Sequence, residues 1–194
     1  MKINIKTEDF KESELPKITK ASECLRLVLS HPEFWERCSK IPYFELAGER
    51  SDWVRKSNDE IIEHIKSGSE TLRPEVDNEV DIDLRIFNPS WRSRNVVGRT
   101  WTDVIWQEIN RKFFNLYDFI KIAGNMFHEW LHKMGFHHDF RSTKMRKFSV
   151  CYRFQKEFLK FAYELYSMEA SEVIEVKKKI SFWSKVWRIV TFRW

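Results

Sequence analysis

From Phe119 to Met134 the apolar residues Phe119, Ile122, Ala123, Met126, Phe127, Trp130, Leu131 and Met134 recur at steps of 3, 4, 7, 8, 11, 12 and 15 from the first. That spacing fits an α-helix with one wide buried face and fits no strand. Asp118 stands in front of it as an N-cap, and Gly135 follows as the residue that takes a left-handed conformation and stops a helix. Lys121, Asn125, His128 and His132 follow a neighbouring line at steps of 4, 3 and 4, with the two histidines at i, i+4. The histidines therefore sit at the border of the buried face, where a helix meets a cleft.

A helix of this kind needs a layer to lie on, and the sequence upstream supplies strands. Val80, Ile82, Leu84 and Ile86 alternate with Asp81, Asp83 and Arg85, the pattern of a half-buried strand that ends at Asn88-Pro89. Val96 to Thr100 and Val104 to Phe114 are rich in β-branched and aromatic residues and read as further extended pieces. Helices are expected from Thr19 to Lys40, interrupted near His31-Pro32, from Asn58 to Ser67 with Gly68 as its stop, and from Gln155 to Tyr166. The fold class is α+β. With 194 residues and 42% hydrophobic content the chain can bury one core of ordinary size, so residues 1–176 are read as a single domain.

Residues 128 to 139 read His-Glu-Trp-Leu-His-Lys-Met-Gly-Phe-His-His-Asp and contain HExxHxxGxxH without a gap. Positions i and i+4 lie one turn apart on one helix face, so His128 and His132 can aim ring nitrogens at one Zn²⁺. Gly135 lets the chain leave the helix sharply and return His138 as a third ligand, with a fourth position open to water. Glu129 projects at another angle, in reach of that water without being a ligand, which suits a general base. The chemistry these residue types serve together is metal-assisted amide hydrolysis.

Chance produces HExxH in on the order of one such sequence in fifty, and the extended pattern in about one in a hundred thousand. The plain alternative makes His128 and His132 partly buried helix residues and His137-His138 a solvated turn. It leaves unexplained why four of the six histidines fall within eleven residues. His137 is expected as a surface residue or as a donor to a ligand, not as a ligand.

HExxHxxGxxH is the zinc-binding signature of the metzincin metallopeptidases, and His128 to His138 match it at every fixed position. The stretch from Val96-Val97-Gly98 through Asn110-Arg111-Lys112-Phe113-Phe114 to His132 also resembles small bacterial metzincin-like proteins, so the likeness covers about residues 76–158. It implies a twisted mixed sheet with an active-site helix beneath it, flanked here by additional N- and C-terminal helices. It also implies a cleft along an edge strand that pairs with extended substrate, and peptide or protein substrates. Metzincins carry a Met-containing turn after the third histidine. Met145 could serve, although Lys147 stands where the family's tyrosine would follow; Val150-Cys151-Tyr152 resembles the same turn with Val for Met. In some metzincins the corresponding tyrosine binds zinc or stabilises the oxyanion, a role that would fall to Tyr152; the alternative is a core tyrosine. Cys151 reads as a small buried residue.

From Lys177 to Trp194 the tail is basic and aromatic, with Ile180, Trp183, Trp187, Val190 and Trp194 on one helical face. It suits an anionic membrane surface or a protein partner, and equally a terminal helix packed on the domain itself. The net charge of +5 adds only a mild preference for acidic partners, and the aromatics follow core periodicity, so no nucleic acid is expected as a partner. Cys24, Cys38 and Cys151 are odd in number and lack CxxC spacing, which suggests neither a disulfide framework nor a cysteine zinc site. The first residues lack an apolar signal segment, as in a cytoplasmic protein or a mature secreted form. Two functions compete: a zinc endopeptidase, and a zinc-stabilised module that attaches through its tail. Glu129 favours the first, because a structural zinc site needs no base.

Overall fold

The computed structural model describes residues 1–41, 56–138 and 146–168. Met145 and the tail from 177 to 194 lie outside the described residues. Among those described, four strands form one mixed sheet and six helices accompany it. The strands are β1 (Lys2–Glu8), β2 (Glu79–Phe87), β3 (Gly98–Thr100) and β4 (Trp106–Asn110). The helices are α1 (Leu15–Ser30), α2 (Pro32–Ser39), α3 (Asn58–Ser67), α4 (Arg111–Leu116), α5 (Phe119–Lys133) and α6, residues 150–168.

The sheet order is β1-β2-β4-β3. β1 runs parallel to β2, with Ile3 opposite Val80 and Ile5 opposite Ile82, and β2 runs parallel to β4. β3 is one of the two edge strands and is antiparallel to β4, with Gly98 opposite Ile109 and Thr100 opposite Gln107. Val80, Ile82, Leu84 and Ile86 are buried against the helices, while the alternate positions face outward and pair their charges, as in Lys2–Glu79 at 2.8 Å and Arg85–Glu8 at 2.6 Å. Such exposed pairs contribute about 0–1 kcal/mol each, so the inner face carries the stability.

Local chemistry sets the element ends. Pro32 cannot continue α1, and the break falls at His31, whose Nδ1 accepts from the Glu33 amide at 3.3 Å to start α2. Ser57 and Glu60 close a capping box at the start of α3, and Gly68 ends it at φ 74°. The expected extended stretch from Val104 to Phe114 is corrected: strand pairing stops at Asn110, whose side chain accepts from the Lys112 amide at 2.9 Å and caps α4. A local cap outweighs the β-preference of Phe113 and Phe114 there. Strand β1 was not expected from the sequence.

The core lies between the sheet and the helices. α5 packs on β2, β3, β4 and α1, and Phe127 on α5 meets Phe34 at 6.1 Å and Phe158 of α6 at 5.5 Å between ring centroids. Phe34, Phe127, Trp130, Phe154 and Phe158 are all fully buried, each worth roughly 1.5–3 kcal/mol over exposure. This packing holds α5 on both sides and leaves one line of the helix facing the site.

Candidate metal centre

α5 begins where the Asp118 carboxylate accepts from the Lys121 amide at 2.8 Å. It ends in a Schellman motif: Gly135 takes φ 90°, its amide bonds His132 O at 3.2 Å, and the Phe136 amide reaches back to Leu131 O at 3.2 Å. The reversal carries the chain back along the helix and brings His138 beside His128 and His132 of α5. His64 of α3 steadies the corner, its Nε2 at 2.8 Å from Met134 O.

The ligating atoms of His128, His132 and His138 all lie within 4.8 Å of one another. Ring centroids stand 5.1 Å apart for His128 and His132, 4.8 Å for His132 and His138, and 5.3 Å for His128 and His138. The Nε2 atoms of His128 and His138 are 3.2 Å apart, close to the ~3.3 Å edge of a tetrahedron with zinc–nitrogen arms of about 2.0–2.1 Å. His132 Nδ1 meets Phe136 O at 2.7 Å. That carbonyl can only accept, so it fixes the proton on Nδ1 and leaves the Nε2 lone pair for a metal. His128 Nδ1 is buried without a formed hydrogen bond, and the Cys151 backbone is the neighbour that favours a proton on the ring.

Electrostatics keep the His128 and His132 rings neutral, the state a metal requires. Burial, then the neighbouring histidines, push His128 well below its ordinary 6.5, and burial with the His138 charge takes His132 down to about 3. The three imidazoles, with no thiolate or carboxylate among them, form a donor set able to hold a metal ion of the kind imidazole binds. His137 stays outside the cluster, half-buried with its ring 6.3 Å from that of His132.

Glu129 is buried on the same helix, and burial raises its carboxyl to about 8 while Asn125, Lys133 and Arg146 favour its ionised form. Its carboxylate lies beneath β3. A Cβ built on Gly98 would stand 2.8 Å from Glu129 Oε1 and 2.5 Å from Asn125 Oδ1, so the edge strand passes directly over the amide and the carboxylate. Tyr152, at the start of α6, closes another side, its ring centroid 4.7 Å from that of His128 and 4.8 Å from that of His138. Arg146 lies over the Tyr152 ring at 5.0 Å. Cys151 is buried, its sulfur 3.6 Å from His132 Nδ1.

The structure thus brings together His128, Glu129, His132, His138 and Tyr152. It adds Asn125, Gly98, Arg146 and Lys133, which sequence reasoning missed. One signal for Lys133 was available: it falls three residues after Trp130 and seven after Met126, a charge on the apolar stripe. Gly98 carried none, because its role depends on which strand crosses the helix. No family model, curated protein or solved structure matches the chain.

Proposed function

We propose that this chain is a zinc-dependent endopeptidase of the metzincin type. The observation that carries the reading is a cluster of three imidazoles, two on α5 and His138 returned by the turn after it, with a buried carboxylate beside them under an edge strand. His128, His132 and His138 would hold the metal. Bound zinc supplies a Lewis acid that polarises a carbonyl and acidifies water.

The chain's own groups do the rest. Glu129, between Asn125 and the backbone of Gly98, takes the proton from the attacking water and passes it to the leaving amine. Its burial raises proton affinity toward neutrality, which matches a group that must both accept and release a proton. Tyr152 stands against His128 and His138, and in this reading its hydroxyl donates to the oxygen on which charge develops.

Substrate would enter along β3. The Asn110 amide bonds Val97 O at 2.9 Å, and Gly98 lies opposite Ile109. The antiparallel pattern therefore turns the Arg99 backbone toward β4 and the Gly98 and Thr100 backbones toward the free edge. An extended peptide adding there would lie alongside the carboxylate under Gly98.

Metal analysis beside hydrolysis of a mixed peptide library tests this. The wild type is expected to bind one zinc per chain and cleave peptides, and Glu129→Ala to keep zinc while losing about 10²–10⁴-fold in rate. Zinc without turnover in the wild type sinks the peptidase and favours the zinc-stabilised module.

A further inference from the structure

Lys133 is 4% exposed on α5, the only buried lysine or arginine among the described residues. Burying an ammonium costs several kcal/mol unless its donors are satisfied. Here Nζ donates to Trp101 O at 2.9 Å and also to Val104 O, two carbonyls of the turn between β3 and β4. Glu70, Glu129 and Asp103 add charge attraction.

Asn125, Glu129 and Lys133 form one line along α5 at i, i+4 and i+8. That line spans about 12 Å of helix, and the strand from Gly98 to Trp101 spans about 10 Å. Gly98 lies over the Asn125 and Glu129 end, and the Trp101 carbonyl is tied to the Lys133 end. β3 is three residues long and has one strand neighbour, β4. A strand so short has little stability of its own, and the helix line supplies the rest. The neighbouring line, His128 and His132, points at the metal site.

We propose that Lys133 is a positioning residue that pins the β3–β4 turn to α5, and so sets the free edge of β3 at the height where a peptide meets the metal centre. This rests on the peptidase reading above. One helix then carries two of the three histidines and also the line of residues that holds the strand.

The test replaces Lys133 with Met, similar in length and without charge, and with Gln, which can still reach one carbonyl. Amide exchange across residues 96–107 is expected to rise about tenfold in Lys133→Met, with residues 119–131 unchanged. KM for a peptide is expected to rise about fivefold, the loss of one edge contact, with kcat within about twofold. Zinc stays at one per chain, and Lys133→Gln falls between. Unchanged exchange in both variants, or a fall in kcat at constant KM, overturns the proposal. If Lys133→Met fails to fold, Lys133→Gln gives the same comparison. A wild type that loads zinc and cleaves nothing removes the peptidase reading and this one with it, whereas an active wild type whose variants keep its KM removes this one alone.

Discussion

At the scale of single residues the site depends on an atom that Gly98 does not have. Any Cβ there would lie 2.5 and 2.7 Å from the Asn125 amide and 2.8 Å from Glu129 Oε1, nearer than such atoms approach. Both side chains stand on α5 and the strand is held by β4, so the amide and the carboxylate must both shift. Gly98→Ala should therefore lower kcat/KM about 10²-fold, the usual cost of displacing a reacting group by about 1 Å, while zinc content stays the same. Steady-state kinetics beside metal analysis would show this, and an alanine variant with wild-type kcat/KM would mean that Glu129 is not held where catalysis needs it. The register of the histidines was legible in the sequence because i, i+4 spacing and a glycine turn are local geometry. The partner of Glu129 was not, because Gly98 and Glu129 meet only once the sheet has formed.

At the scale of elements, what could be read were helices with strong caps. α3 and α5 begin and end where Ser57, Gly68, Asp118 and Gly135 place them. β1 escaped because it shows only Ile3 and Ile5 in alternation, and its partner β2 begins 77 residues on, from Lys2 to Glu79. α4 was misread because an asparagine cap weighs little in a window rich in aromatics. For the proposed metal site the end of α5 matters most, since the reversal at Gly135 delivers His138. A side chain at φ 90° is strained by roughly 1–2 kcal/mol. Relief of that strain would straighten the turn and withdraw the third imidazole. Gly135→Ala is expected to lower the melting temperature by several degrees and to weaken zinc binding at least about tenfold. A competition titration against a chelator reads the second effect, and equal affinity at reduced stability would show that His138 finds the metal without the Schellman turn.

At the scale of the whole molecule, the buried titratable groups give the metal-free protein a stability maximum in pH. Burial lowers His64, His128 and His137 below 6.5 and takes His132 down to about 3. Below pH 6.5 the unfolded chain therefore binds protons that the folded one refuses, and stability falls with falling pH, by up to about 1.4 kcal/mol per unit for each histidine. Glu129 acts in the opposite sense. Its carboxyl is raised from 4.5 to about 8, so between those values the folded state holds a proton that the unfolded state has lost, and stability falls as pH rises. Glu70, raised by burial, has the same sign above its ordinary 4.5. Four histidines outweigh the carboxyls on the acid side; above 6.5 their contribution fades and Glu129 prevails, opposed only near pH 8 by Lys133, which burial lowers from 10.5 to about 8. The urea midpoint of chelator-treated protein should thus peak near pH 6.5 and decline toward both 5.5 and 8.0. Glu129→Gln removes the carboxyl and keeps its shape, so it should stabilise the metal-free protein at pH 8.0 by at least ~1 kcal/mol and leave the acid limb in place. A midpoint that rises steadily from 5.5 to 8.0 in the wild type, or a glutamine variant that declines toward pH 8.0 as steeply, would show that Glu129 is ionised in the folded protein without a metal, and that burial does not set its charge.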